Sequence, residues 1–158
     1  MEDRTYTEFA ALDPLFKMFD DAFGDVVDGE HFFEQFSEDA VWENPFPVPG
    51  TKPAFHGSSE LMAAFRGYGD VLRLESMSDL QIHRCKKNDD VDVIVLEYQG
   101  HGQAVLTGKP YNNSYVSIIH IKNRKIFLWR DYADQMIAIE AVGGLEPIIA
   151  MFGTKDDR

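Results

Sequence analysis

The chain has 158 residues, 27 acidic against 15 basic, for a formal charge of −12; 44% of it is hydrophobic and 13% aromatic. That length and composition suit one core and one domain, 1–158, and the acidic balance argues against nucleic acid and anionic membranes. The single Cys85 excludes an internal disulfide or a multi-thiolate metal site, and no apolar run or basic leader suggests a membrane span or signal peptide, so the expectation is a cytoplasmic domain.

The first predicted element is a helix from Leu12 to about Gly24, because Leu12, Leu15, Phe16, Phe19 and Phe23 recur at helical spacing. Asp13 is its expected cap, with Pro14 in the first turn. A shorter helix opened by Asp28 carries Phe32, Phe33 and Phe36. Residues 1–44 hold −11 of the charge, mostly on the outer faces of these helices. A short strand follows from Glu38 and is stopped at Pro45. The stretch Pro45–Gly57 reads as a Pro- and Gly-rich loop. A third helix runs from Ser58 to about Arg66. Strands are then predicted near 71–84, 91–103, 113–121 and 125–133, with turns at Lys86–Asp90 and Lys122–Arg124. A helix over roughly 134–151 closes the chain. Helices first and a strand meander afterwards describe an α+β domain.

Strand alternation narrows the candidate site residues. Phe127, Trp129 and Asp131 fall on one face, and a carboxylate between aromatics loses water and gains pKa, which suits a general acid or base. The competing reading is a structural ion pair of Asp131 with Arg66 or Arg73. Trp42, Asn44 and Phe46 share a face of the first strand, where Asn44 either shapes the turn before Pro45 or orients water or a carbonyl. Tyr98 is a donor or a packed core tyrosine; periodicity does not decide which face of strand 91–103 is internal. Gly100-His101-Gly102 reads as a bulge in a curved strand. The five histidines lack metal-ligand spacing, so no metal is expected.

Four segments in order carry a family resemblance. They are Phe36 to Pro45 (FSEDAVWENP), Phe55-His56-Gly57, Tyr111 to Tyr115 (YNNSY), and Lys125-Ile126 leading to Trp129 to Asp134 (WRDYAD). Over roughly residues 10–145 the chain resembles the nuclear-transport-factor-two-like superfamily, within the SnoaL-like group that includes polyketide cyclases and ketosteroid isomerase. The resemblance implies a cone-shaped α+β barrel: a curved, mainly antiparallel sheet wrapped by three helices, plus a short C-terminal helix. It also implies an apolar pocket at the wide end and homodimers through the outer sheet face.

Residue by residue, the resemblance implies different things. The base Asp of ketosteroid isomerase, a well-characterised case of pKa tuning, falls at Asn44 and its partner acid near Ser117, which argues against that reaction. Limonene epoxide hydrolase matches at Asn44 and Asp131, but its Arg and second Asp fall on Tyr98 and Gly100. Phenazine-biosynthesis A/B proteins align their catalytic Glu with Asp131 and their helix His with Ala64. SnoaL-type cyclases also use a late-strand Asp. The implied activity is cofactor-free acid/base chemistry, of isomerase, cyclase or hydratase/hydrolase type, on an apolar cyclic or carbonyl-containing small molecule. Asp131, Asn44 and Tyr98 are the expected catalytic set. Trp42, Phe46, Tyr115, Phe127 and Trp129 are the expected substrate contacts. The alternatives are a non-catalytic ligand-binding or protein-interaction module, and an epoxide hydrolase in which Tyr98 supplies the missing proton.

Overall fold

Strands from Phe36 onward form one open sheet, seen in a computed structural model that describes residues 6–152. Its strands are β1 (Phe36–Glu43), β2 (Ala54–His56), β3 (Leu72–Asn88), β4 (Val91–Ala104), β5 (Pro110–Lys122) and β6 (Lys125–Ala133). They pair in the order β2-β1-β6-β5-β4-β3, parallel between β1 and β6 and antiparallel elsewhere. The helices are α1 (Asp13–Phe23), α2 (Gly57–Phe65), α3 (Tyr68–Val71), α4 (Gln135–Val142) and α5 (Glu146–Phe152). This is the expected cone-shaped α+β arrangement. No helix among the described residues is long and apolar enough to cross a membrane.

Helix α1 buries Met18, Phe19, Ala22 and Phe23, one side of its apolar stripe, while its Asp and Lys residues stay outside. Those phenylalanines meet Trp129 edge-on, at 4.8 Å for Phe19 and 5.9 Å for Phe23. Trp129 in turn stacks on Trp42 at 4.8 Å, and an aromatic core fills the space between α1, α2 and strands β1, β4, β5 and β6. A second apolar cluster, around Leu72, Tyr111, Val142 and Ile148, joins the far end of the sheet to α4 and α5.

Several boundaries differ from the sequence reading for local reasons. Helix α1 begins at Asp13, whose side chain does not cap it; Leu12 holds the N-cap position. Asp28 opens no helix, because its carboxylate takes the Arg124 guanidinium at 2.7 Å and Gly29 turns the chain at φ +139°. The segment Phe32–Gln35 is a single 3-10 turn, closed by His31 Nδ1 accepting from the Phe33 N–H and by Glu34 accepting from the His31 N–H. Phe36 therefore belongs to β1. Inside the Pro-rich loop, Ala54–His56 forms β2, pairing Trp42 with Phe55. The C-terminal helix is two helices, since Gly143 at φ +87° ends α4 in the left-handed cap that glycine favours.

Candidate functional site

Period two on the central strands decides which side chains face the helices. On β4 these are Ile94, Leu96, Tyr98 and Gly100; Glu97 and Gln99 face outward. On β5 they are Tyr111, Asn113, Tyr115, Ser117 and Ile119, so a run of polar groups enters the interior along one strand face. Cross-strand register then aligns Tyr98 with Tyr115 and Ser117 with Asp131. Around these groups lies a cavity of about 140 Å³, walled by Phe19, Trp42, Phe55, Phe65, Leu74 and Met77 and capped by residues of α4 and α5.

Asp131 lines this cavity. Its surface is partly accessible through the cavity, yet protein surrounds the carboxyl group, and burial raises its pKa to about 7. The Ser117 hydroxyl, donating to Asp131 Oδ1 at 3.0 Å, opposes that rise; the Trp129 indole, with no partner at bonding distance, adds a weaker pull in the same direction. Behind Ser117 stands Tyr98, its hydroxyl 2.8 Å from Ser117 Oγ. With the carboxyl ionised, the protons run one way, from Tyr98 to Ser117 to Asp131. The ion-pair reading is corrected here: Arg66 binds Glu8 at 3.1 Å, and among the described residues no ion pair reaches Asp131.

Asn44, Tyr98, Trp42 and Tyr115 line the same cavity as Asp131. Asn44 is held there by its backbone, whose N–H donates to the Pro53 carbonyl at 2.8 Å where β1 and β2 part. The other expected contacts stand elsewhere. Trp129 is fully buried behind Trp42 and supports the wall without forming it. Phe127 lies off the cavity because β6 carries a bulge: His120 pairs with Leu128 but Ile121 pairs with Ile126, leaving Phe127 as the extra residue. The bulge turns Ile126 inward and sets Phe127 edge-on to His120. Phe46 is 69% exposed and packs on Tyr132, because the chain leaves β1 after Glu43 and the alternation ends there.

Among the polar cavity residues, Thr51, Tyr68, Tyr111, Asn113 and Gln135 were not named as site residues from the sequence. Two of them were signalled by the spacing Tyr111, Asn113, Tyr115, Ser117, a period-two polar series ending opposite Asp131. Tyr68 sits on the one-turn helix α3, too short to have a readable face. Burial raises the pKa of all four phenols, Tyr68, Tyr98, Tyr111 and Tyr115, so they are neutral donors at ordinary pH. A neutral donor set beside a carboxyl that titrates near neutrality can hold an oxygen and move a proton.

Comparison with known proteins follows the same lines. The family model described as a SnoaL-like domain matches residues 16–129. The uncharacterized protein YesE of Bacillus subtilis is 28% identical over 117 residues, 74% of this chain and 78% of that one. A crystal structure of a proposed isomerase from Bacillus subtilis superposes with a TM-score of 0.68 at 24% identity, covering 88% of this chain and 95% of the other. An NTF2-like protein of unknown function from Burkholderia pseudomallei superposes with a TM-score of 0.59 at 16% identity, covering 87% and 98%.

Proposed function

The chain belongs to the SnoaL-like domain family, and from that premise we propose that it is a cofactor-free enzyme in which Asp131 moves a proton on a small molecule held in the cavity. The observation that carries this reading is the Asp131 carboxyl itself: enclosed, unpaired with any cation among the described residues, and raised to about 7. A structural carboxylate is normally stabilised by an opposite charge, which lowers its pKa; this one is shifted the other way. A group with that pKa is present in both protonation states near neutral pH, so it can accept a proton at one carbon or oxygen and return it at another. Ser117 and Tyr98 form its internal support, and Asn44 offers an amide to water or substrate on the same cavity wall.

Asp131→Asn tests the assignment. In a panel of cyclic ketones in D2O, followed by proton NMR, the wild-type chain should exchange C–H protons beside the carbonyl of at least one compound. The Asn variant, nearly isosteric with the protonated acid, should lose that exchange by a factor of a thousand or more, on the order of the contribution of a general base. Exchange that survives in the variant would eliminate Asp131 as the acid/base.

A further inference from the structure

The cavity walls are closely packed: Trp42, Phe55, Leu74, Tyr98 and Tyr111 are each at most 8% exposed. A molecule that fills about 140 Å³ therefore enters only when one wall element moves. The strands are fixed by their ladders, and α1 and α2 by the aromatic core. That leaves the cap, where α4 supplies Ala138 and Val142, α5 supplies Ile148, and the β1–β2 loop supplies Val48 and Thr51.

These three cap elements are attached differently. Helix α4 has polar ties at both ends: the Asp134 side chain caps its start, and the Thr107 hydroxyl and Lys109 ammonium donate to the Ala141 and Glu140 carbonyls at its end. The loop is braced by the Asn44 N–H on the Pro53 carbonyl, by Thr51 donating twice to the Val48 carbonyl, and by Gln135 donating to the Phe46 carbonyl. Among the described residues no side-chain hydrogen bond or ion pair reaches α5, whose seat is apolar. Ile148, 6% exposed, joins the cluster of Val48, Leu72, Tyr111 and Val142, and the helix also rests against α2 and α3. Ile149 lies over Gly50, where a Cβ would stand 3.0 Å from Ile149 Cδ1, so the glycine shapes the seat. Apolar packing is non-directional, and α5 can leave and return without stranding a buried polar group.

The joint to α4 is Gly143-Gly144. Both N–H groups belong to the end of α4, donating to the Glu140 and Ile139 carbonyls, so the chain is free to turn from Gly144 onward. Gly144 sits at φ +133°, which glycine alone adopts readily, and beyond its chain neighbours no heavy atom lies within 4 Å of the place a Cβ would take. We propose that α5 is a lid over the cavity: it swings about Gly144 to admit a small molecule and closes when Ile148 returns to its seat. The lid is independent of the acid/base role given to Asp131.

Thiol labelling of the full chain with methyl methanethiosulfonate, a small neutral reagent, tests this. Cys85→Ser removes the native thiol, which is exposed. Leu74→Cys then places a reporter on the cavity wall, with Leu72→Cys as a second should that variant not fold, and Ile119→Cys places one in the core off the cavity. The cavity thiol should label about a hundredfold faster than the core thiol, at a rate unaffected by low urea, because turning one helix exposes little surface. Ile148→Ala should raise that urea-independent rate about tenfold or more, since the open state no longer uses the contact that the substitution removes. A cavity thiol that labels no faster than the core thiol would mean that the cavity opens only with the whole fold. A urea-independent rate unmoved by Ile148→Ala would place the entrance elsewhere. Either result overturns the proposal. Proton exchange by Asp131 is a separate measurement, and its failure would leave the lid standing.

Discussion

At the level of single residues, the site is a competition between burial and hydrogen bonding at one carboxyl. Burial raises Asp131, and the Ser117 hydroxyl pulls it back by donating to the ionised form. Ser117→Ala removes a donor to a charged acceptor, so the Asp131 pKa should rise by about one unit or more. Carbon-detected NMR titration of the carboxyl would register that rise, and the alkaline-side gain in proton exchange should move to higher pH with it. An unchanged titration would mean that the hydroxyl bonds Tyr98 alone. Asp131 was legible in the sequence because alternation placed it beside Trp129 on an inward face. Phe127 was misplaced by the same alternation, since a bulge is one extra residue and leaves no mark in a period-two pattern.

Among the elements, close strand contact explains what holds the cavity wall in shape. The expected bend at Gly100-His101-Gly102 coincides with an irregularity in β3, where Leu74 pairs with Gly102 and Ser76 with His101. A Cβ on Gly102 would lie 1.9 Å from the Arg73 carbonyl oxygen, a contact that backbone has to move to relieve. Gly102→Ala should therefore destabilise the fold by about 2–4 kcal/mol, visible as a lower urea midpoint. A tolerated alanine would show that β3 and β4 can separate there. Helix α4 is tied to the site from its other end: the Asp134 carboxylate caps it by accepting from the Met136 and Ile137 N–H groups, while the Asp134 carbonyl holds Asn113. Asp134→Ala should lose about 1 kcal/mol in thermal unfolding, the usual worth of an N-cap. Strands β1 and β3 to β6, helices α1 and α2 and the α4–α5 region were legible because their apolar periods are long, whereas the helix expected after Asp28 is a single 3-10 turn. The short β2 and the one-turn α3 were not legible, because three or four residues carry no period and pairing with β1 or packing against α5 decides them.

Over the whole molecule, charge and stability have separate seats. The −11 of residues 1–44 is partly answered by cations from the nearly balanced remainder: Arg84 on Asp25, Arg124 on Asp28, Arg66 on Glu8, and Lys125 on the Asp28 and Glu34 carbonyls. These pairs are exposed and each contributes little, so they orient the N-terminal elements more than they stabilise them. Among the described residues the costly charge is the one inside, at Asp131. Asp131 has a pKa of about 7 in the folded chain against about 3.9 for an unfolded Asp. Between those values the unfolded state has released its proton and the folded state keeps it, so unfolding is favoured progressively as pH rises. Stability should be unaffected by this group below about pH 4, fall through the interval by up to roughly 4 kcal/mol, and level off above pH 7. Asp131→Asn removes the titration. Urea unfolding should find variant and wild type nearly equal at about pH 4, and the variant more stable by up to roughly 4 kcal/mol at about pH 8. The same substitution that ends proton exchange should thus strengthen the fold, as expected where an ionisable group is buried for chemistry and not for structure. If Asp131→Asn is instead destabilising at both pH values, the carboxylate has a structural partner and the acid/base reading loses its physical basis.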